Sequence, residues 1–120
     1  MSELDRNIIW AVKNGDVEEV KTLVAKGADV NAIEVAGRRP IHFAADCGQL
    51  EVLEFLLNVG ANIDAIDVHG FTALLSAVSE GHIDCVKLLL SKGANKTGKS
   101  PEGKNYFELA ESGEMQDLLK

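Results

Sequence analysis

The sequence predicts an all-α solenoid of about four repeated units, each a hairpin followed by two antiparallel helices. Three observations carry that prediction. Residue types recur every 33 positions along the 120-residue chain. Glycine punctuates each unit at fixed places. Aromatic residues make up only 5% of a chain that is 46% hydrophobic, so the core has to be built from Leu, Val, Ile and Ala, which suits closely packed helices.

The period is visible in several columns at once. Gly15, Gly48 and Gly81 share one position, Gly27, Gly60 and Gly93 a second, and Gly37, Gly70 and Gly103 a third. Ala11, Ala44, Ala77 and Ala110 carry the register across four units, and Leu23, Leu56 and Leu89 mark an apolar column. The chain is therefore expected to be a single domain, residues 1–120, with units at about 1–33, 34–66, 67–99 and 100–120.

The second unit, GRRPIHFAADCGQLEVLEFLLNVGANIDAID, shows how each unit is built. Pro40 starts a short helix reaching about Cys47, because proline is tolerated in a first turn, where its missing N–H has no intrahelical partner. Gly48 breaks that helix. A second runs from about Leu50 to Asn58, with Leu50, Leu53, Leu56 and Leu57 on one stripe and Glu51 and Glu54 on the other face. Gly60 sits where a left-handed helix cap favours glycine, and polar Asn/Asp residues then lead to the next hairpin. The fourth unit is shorter, lacking one residue before Gly113; Asn105–Ala110, Met115 and Leu118 are expected to form its cap.

Arg39-Pro-Ile-His-Phe-Ala44 and, more loosely, Thr72-Ala-Leu-Leu-Ser-Ala77 resemble the T-P-L-H-x-A signature of the ankyrin repeat. The resemblance covers essentially the whole chain. It implies a structural hydrogen-bonding role for His42 between units, and a concave protein-binding surface formed by the hairpin tips and the first helix of each unit.

Other functions find little support in the residues. Gly93-Ala-Asn-Lys-Thr-Gly-Lys-Ser100 fits the letters of a phosphate-binding P-loop. Such a loop needs a strand before it and a helix after it, whereas the register puts a helix before and a hairpin turn after. His42, Asp46 and Cys47 could suggest a nucleophilic pair with an orienting acid, but the five-residue step turns the side chains by roughly 500° on a helix. Cys85 is expected to be a packing thiol and Cys47 an exposed one. His69 and His82 have no partners at metal-ligand spacing. No enzyme activity and no cofactor are expected. A net charge of −7, from 12 basic and 19 acidic residues, disfavours nucleic acid and favours a basic protein surface. No membrane contact is expected either, because no apolar run approaches the length of a span and none resembles a signal peptide. The expected compartment is the cytoplasm, with the nucleus as a second, and the expected state is a monomer.

By register, the ankyrin architecture points a defined set of positions toward partners. They are Lys13 and Asn14; Glu34, Val35, Ala36, Arg38, Asp46 and Cys47; and Asp67, Val68, His69, Phe71, Ser79 and Glu80. Trp10 is expected to pack between helices of the first unit, with exposure as an interface anchor the alternative.

Trp10–Asp16, Ala44–Leu57, Leu74–Val78, Glu80–His82 and Cys85–Ala94 further resemble a narrower family of small cytosolic ankyrin-repeat proteins. That family binds the heterodimeric actin-capping protein and keeps it from capping filament barbed ends. The resemblance implies an inhibitor that promotes filament elongation, with Glu34, Asp46 and Glu80 supplying charge and Trp10, Val35 and Phe71 apolar contact. The first hairpin, Ile33-Glu-Val-Ala-Gly37, departs from the family's pattern. The alternative role is retention of a transcription factor through its basic segment.

Overall fold

The computed structural model describes residues 2–34 and 36–120; Val35, expected as an apolar hairpin tip, lies outside the described residues. Among them the chain forms α1 (Glu3–Lys13), α2 (Val17–Ala25), α3 (Pro40–Asp46), α4 (Leu50–Asn58), α5 (Ala73–Ser79), α6 (Ile83–Ser91), α7 (Tyr106–Leu109) and α8 (Gly113–Leu118). It has no extended strand there, only one isolated antiparallel bridge between Lys99 and Asn105. The fold is an all-α ankyrin solenoid 41 Å long and 25 by 21 Å across. The first helices α1, α3, α5 and α7 pack in sequence as one row, and α2, α4, α6 and α8 form a second row behind them.

Local chemistry explains the helix boundaries. Ser2, Asp16, Thr72, Asn105 and Ser112 each accept a hydrogen bond from the backbone N–H three residues on, satisfying a donor that the helix cannot. Pro40 opens α3 as expected. Gly60 ends the turn after α4 at φ +102°, a conformation that strains any residue with a Cβ.

One apolar core runs the length of the stack through Ile8, Val12, Ile41, Leu53, Leu56, Leu74, Leu75, Leu89 and Met115. Each such side chain, taken fully out of water, contributes about 1.5–3 kcal/mol. The fourth unit differs from expectation in one detail. Leu119 is buried while Leu118 is only half-buried against the core, and α8 begins at Gly113. Capping by Ser112 starts the helix there, which sets the buried position one residue later.

A polar ladder fixes the spacing of the units. Asn62 N–H donates to Asn31 Oδ1 at 2.8 Å, and Asn95 N–H donates to Asp64 Oδ1 at 2.9 Å, the same bond one repeat further on. Within each turn Asp29, Asn62 and Asn95 accept from the backbone N–H two residues ahead. The Asn/Asp residues that read as loop formers thus also join neighbouring units.

Candidate protein-binding face

The face is built from hairpins of identical construction. Glu34 N–H donates to Arg38 O at 2.8 Å, Asp67 N–H to Phe71 O at 3.1 Å, and Ser100 N–H to Lys104 O at 2.8 Å. The first two tips are tied together by Val68 N–H donating to Ala36 O at 3.0 Å.

Beneath these tips lies a buried polar clamp. His42 Nδ1 accepts from Arg39 N–H at 2.9 Å, so the ring carries its proton on Nε2, which reaches Ala65 O at 2.9 Å and Phe71 O at 3.0 Å in the next unit. The inter-unit role that the ankyrin resemblance implied for His42 is present. Burial lowers its pKa, the Arg38 charge adds to that, and the ring is held neutral. Asp67 Oδ1 accepts from His69 N–H and Phe71 N–H, both at 2.9 Å, while Oδ2 receives Arg38 Nη1 at 3.1 Å. Burial alone would raise the Asp67 pKa; those two backbone donors and the Arg38 charge outweigh it, and the pKa lies below the ordinary value.

Several expected surface residues therefore have internal duties. Asp67 is buried, not partner-facing, because its carboxylate organises the second hairpin. The Arg38 side chain is only 20% exposed and bridges Asp67 and Asp46, the latter at 4.0 Å. Phe71, expected to offer apolar contact to a partner, is half-buried and packs against the core. Phe43 is flanked by the Lys13 ammonium, 4.5 Å from the ring centroid, and the Arg38 guanidinium at 5.1 Å. Lys13 also stands 3.6 Å from Glu34, tying α1 to the first hairpin.

Trp10 overturns the packing expectation outright: it is 65% exposed. Its register mate Phe43 is covered by cations, but Asp5 stands where Arg38 stands one unit later, and the buried stripe of α1 is Ile8, Ile9, Ala11 and Val12. Trp10 lies one turn from Lys13 on the same helix face. Asn14, Asp46, Cys47, His69, Ser79 and Glu80 are exposed as expected, Glu34 is half-buried, and Val68 is 68% exposed. Two exposed apolar residues were missed, Ile33 at 56% and Ile66 at 62%. They are register mates at the base of successive hairpins, a position where the repeat has no core to fill, and that coincidence was the available signal.

The chemical alternatives can be placed on the same map. The segment before Gly93 is α6, and Lys99 pairs with Asn105 in a hairpin, so neither the strand nor the helix of a phosphate loop flanks Gly93–Ser100. Cys85 is buried and its thiol pKa is raised by that burial, with the Asp84 charge adding to it. Cys47 is exposed. Among the described residues no cluster of His, Cys, Asp or Glu could hold a metal ion, and no helix is long and apolar enough to cross a membrane.

Residues 8–100 match the family model for ankyrin repeats (3 copies). The chain is 57% identical to myotrophin of Xenopus tropicalis over 96% of its own length and 98% of that protein's. It is 59% identical to the human and Bos taurus myotrophins over a 43-residue stretch, which spans 36% of this chain and 36% of each of those relatives. Stacked ankyrin repeats are protein-binding modules, and this chain belongs to the ankyrin-repeat proteins and, within them, to the myotrophin family.

Proposed function

We propose that this protein binds the heterodimeric actin-capping protein and holds it away from filament barbed ends, so that capped growth resumes. The observation that carries the reading is the pairing of exposed apolar groups with exposed acids along the tip and first-helix face. Trp10 and Val68 are 65% and 68% exposed, and Ile33 and Ile66 accompany them. Asp46 and Glu80 supply negative charge from the ends of α3 and α5. Scattered apolar residues are ordinary on any surface, but Ile33 and Ile66, exposed one repeat apart, with Trp10 and Val68 on elements of the same face, suit a contact strip.

The mechanism follows from the division of labour between those groups. A chain of net charge −7 attracts a basic surface over distances of about the Debye length, ~8 Å at physiological salt, and so speeds encounter. Once docked, Trp10 and the Ile33, Ile66 and Val68 side chains leave water, and their burial slows dissociation. Occupation of the basic surface that the family's partner uses to reach the filament then blocks capping by steric exclusion. The Arg38–Asp67–His42 clamp keeps the second tip in place without loop ordering on binding, which lowers the entropic cost.

Isothermal titration of purified capping protein at low and physiological salt tests the proposal. Saturable binding that weakens with salt and is reduced at least about tenfold by Trp10→Ala supports it. Absence of binding by the folded chain, or displacement of the capping protein by a basic transcription-factor segment with much higher affinity, would move the assignment to the alternative partner.

A further inference from the structure

The third hairpin lacks the ties that fasten the second. Val68 N–H donates to Ala36 O, but its register mate is Pro101, which has no N–H to give. Arg38 holds Asp67 at 3.1 Å, but the corresponding pair is Phe71 and Ser100. His42 spans two carbonyls of the next unit, but its mate is the buried Leu75. Among the described residues, what remains across this junction near the tip is one side-chain bond, Thr72 Oγ1 with Tyr106 Oη at 3.0 Å, and α7 beyond it has four residues.

Ser100 occupies the position where the two preceding hairpins carry acids, Glu34 and Asp67. Its hydroxyl does only part of the Asp67 carboxylate's work. Ser100 Oγ accepts from Lys104 N–H at a long 3.3 Å and donates to Glu102 Oε2 at 2.9 Å. Lys99 and Lys104 flank it, and neither ammonium has an ion-pair partner among the described residues. The chain has two prolines, Pro40 after Arg39 and Pro101 after Ser100, so Ser100 is its one hydroxyl residue that precedes proline.

The geometry points to Ser100 as a phosphorylation site for a proline-directed protein kinase, reached by local opening of the weakly tied third hairpin. In the reaction Ser100 Oγ attacks the γ-phosphorus of the kinase's nucleoside triphosphate. The new O–P bond replaces the bond to the leaving nucleoside diphosphate, and the hydroxyl proton passes to the kinase's base. The folded residue is 7% exposed, so opening is required, and hairpins with few ties sit at the low end of local opening free energies. The product carries about −1.5 to −2 charges at pH 7 and can accept from Lys104 N–H and pair with the Lys99 and Lys104 ammonium groups, which restores an acid to the hairpin series.

The test treats the full chain and a peptide of residues 94–107 with a purified proline-directed kinase and radiolabelled nucleoside triphosphate. Expected are one phosphate on the folded chain at Ser100, incorporation within about a hundredfold of the peptide's rate, loss in Ser100→Ala, and a marked fall in Pro101→Ala. Labelling of the peptide with none on the folded chain would overturn the proposal by showing that the hairpin stays closed. Label on neither, label at Thr97, or label indifferent to Pro101→Ala would overturn it equally. Because no partner is present in the assay, its outcome is independent of the capping-protein reading.

Discussion

The Asp67 carboxylate, whose side chain is fully buried, lies 3.1 Å from the Arg38 guanidinium of the preceding unit. Two neighbouring repeats are thus joined at the base of their hairpins by a charged pair whose acid also organises its own turn through two backbone N–H groups. Removing one partner of such a pair leaves an uncompensated charge, which costs more than the pair itself contributes. Arg38→Met should lower the unfolding free energy by about 3 kcal/mol, and adding Asp67→Asn should recover part of that loss, with a coupling of about 1–3 kcal/mol. Urea unfolding of the two single variants and the double variant measures it directly.

Stability should fall on mild acidification because of His42. Its pKa in the folded chain lies below the ordinary 6.5, and its Nδ1 is occupied by Arg39 N–H. Below about pH 6.5 the unfolded chain takes up a proton that the folded chain resists. The His42 contribution is therefore fully present above about pH 6.5 and is lost as pH falls through the lowered folded value. The Asp67 contribution has the same sign but is lost only as pH falls through a value below 3.8, so the two windows separate. Urea midpoints between pH 7.5 and 5 should decline in the parent chain and decline less in His42→Gln, which should itself cost about 1–3 kcal/mol at neutral pH.

Gly48 and Gly81 are register mates with nearly equal backbones, φ +69° and +75°, but different surroundings. A Cβ on Gly48 would come within 2.8 Å of the His82 ring, whose Nε2 is 3.0 Å from Asp46 O; nothing lies within 4 Å of one on Gly81. Gly81→Ala should cost about 1 kcal/mol from left-handed strain alone, and Gly48→Ala about twice that or more. Repeating Gly48→Ala in a His82→Ala background should shrink the difference, as read by thermal or urea unfolding.

Trp10 separates folding from recognition. At 65% exposure its truncation to Ala should change stability by no more than about 0.5 kcal/mol, the range usual for surface positions. Loss of about 2 kcal/mol or more of binding free energy in the same variant would mark it as an anchor of the interface. Calorimetry on the variant alone and with capping protein gives both numbers.

Much of the scaffold was legible in the sequence because it depends on local rules. Pro40, Gly48 and Gly60 bound two helices whose limits fall within a residue of expectation. The stripe of α4 was read only in part: Leu53 and Leu56 are buried as expected, but Val52 takes the third buried position, while Leu57 is half-buried and Leu50, in the first turn, is exposed. The burial of Cys85 and the exposure of Cys47 were also readable from their columns. The face was harder to read because it depends on contacts between units. Nothing local distinguishes Asp67, drawn inward by Arg38 and two backbone donors, from the exposed Asp46. Trp10 shares a column with the half-buried Phe43 and the buried Ser76, so the column does not foretell its 65% exposure. Ile33 and Ile66 were legible as a repeated pair but not as exposed, since that depends on how the hairpin base meets the first-helix row.

The proposed sequestration of capping protein rests on an acidic face bearing exposed apolar groups. The most direct measurement is barbed-end filament elongation with capping protein present, comparing the parent chain with the Asp46→Lys/Glu80→Lys variant. Elongation should recover as the parent chain is added, and the reversed variant, folded and equally stable, should need at least about tenfold more protein for the same recovery. Capping that persists at large excess of the folded parent chain would rule out sequestration, and equal potency of the reversed variant at low salt would rule out the acidic face as its basis.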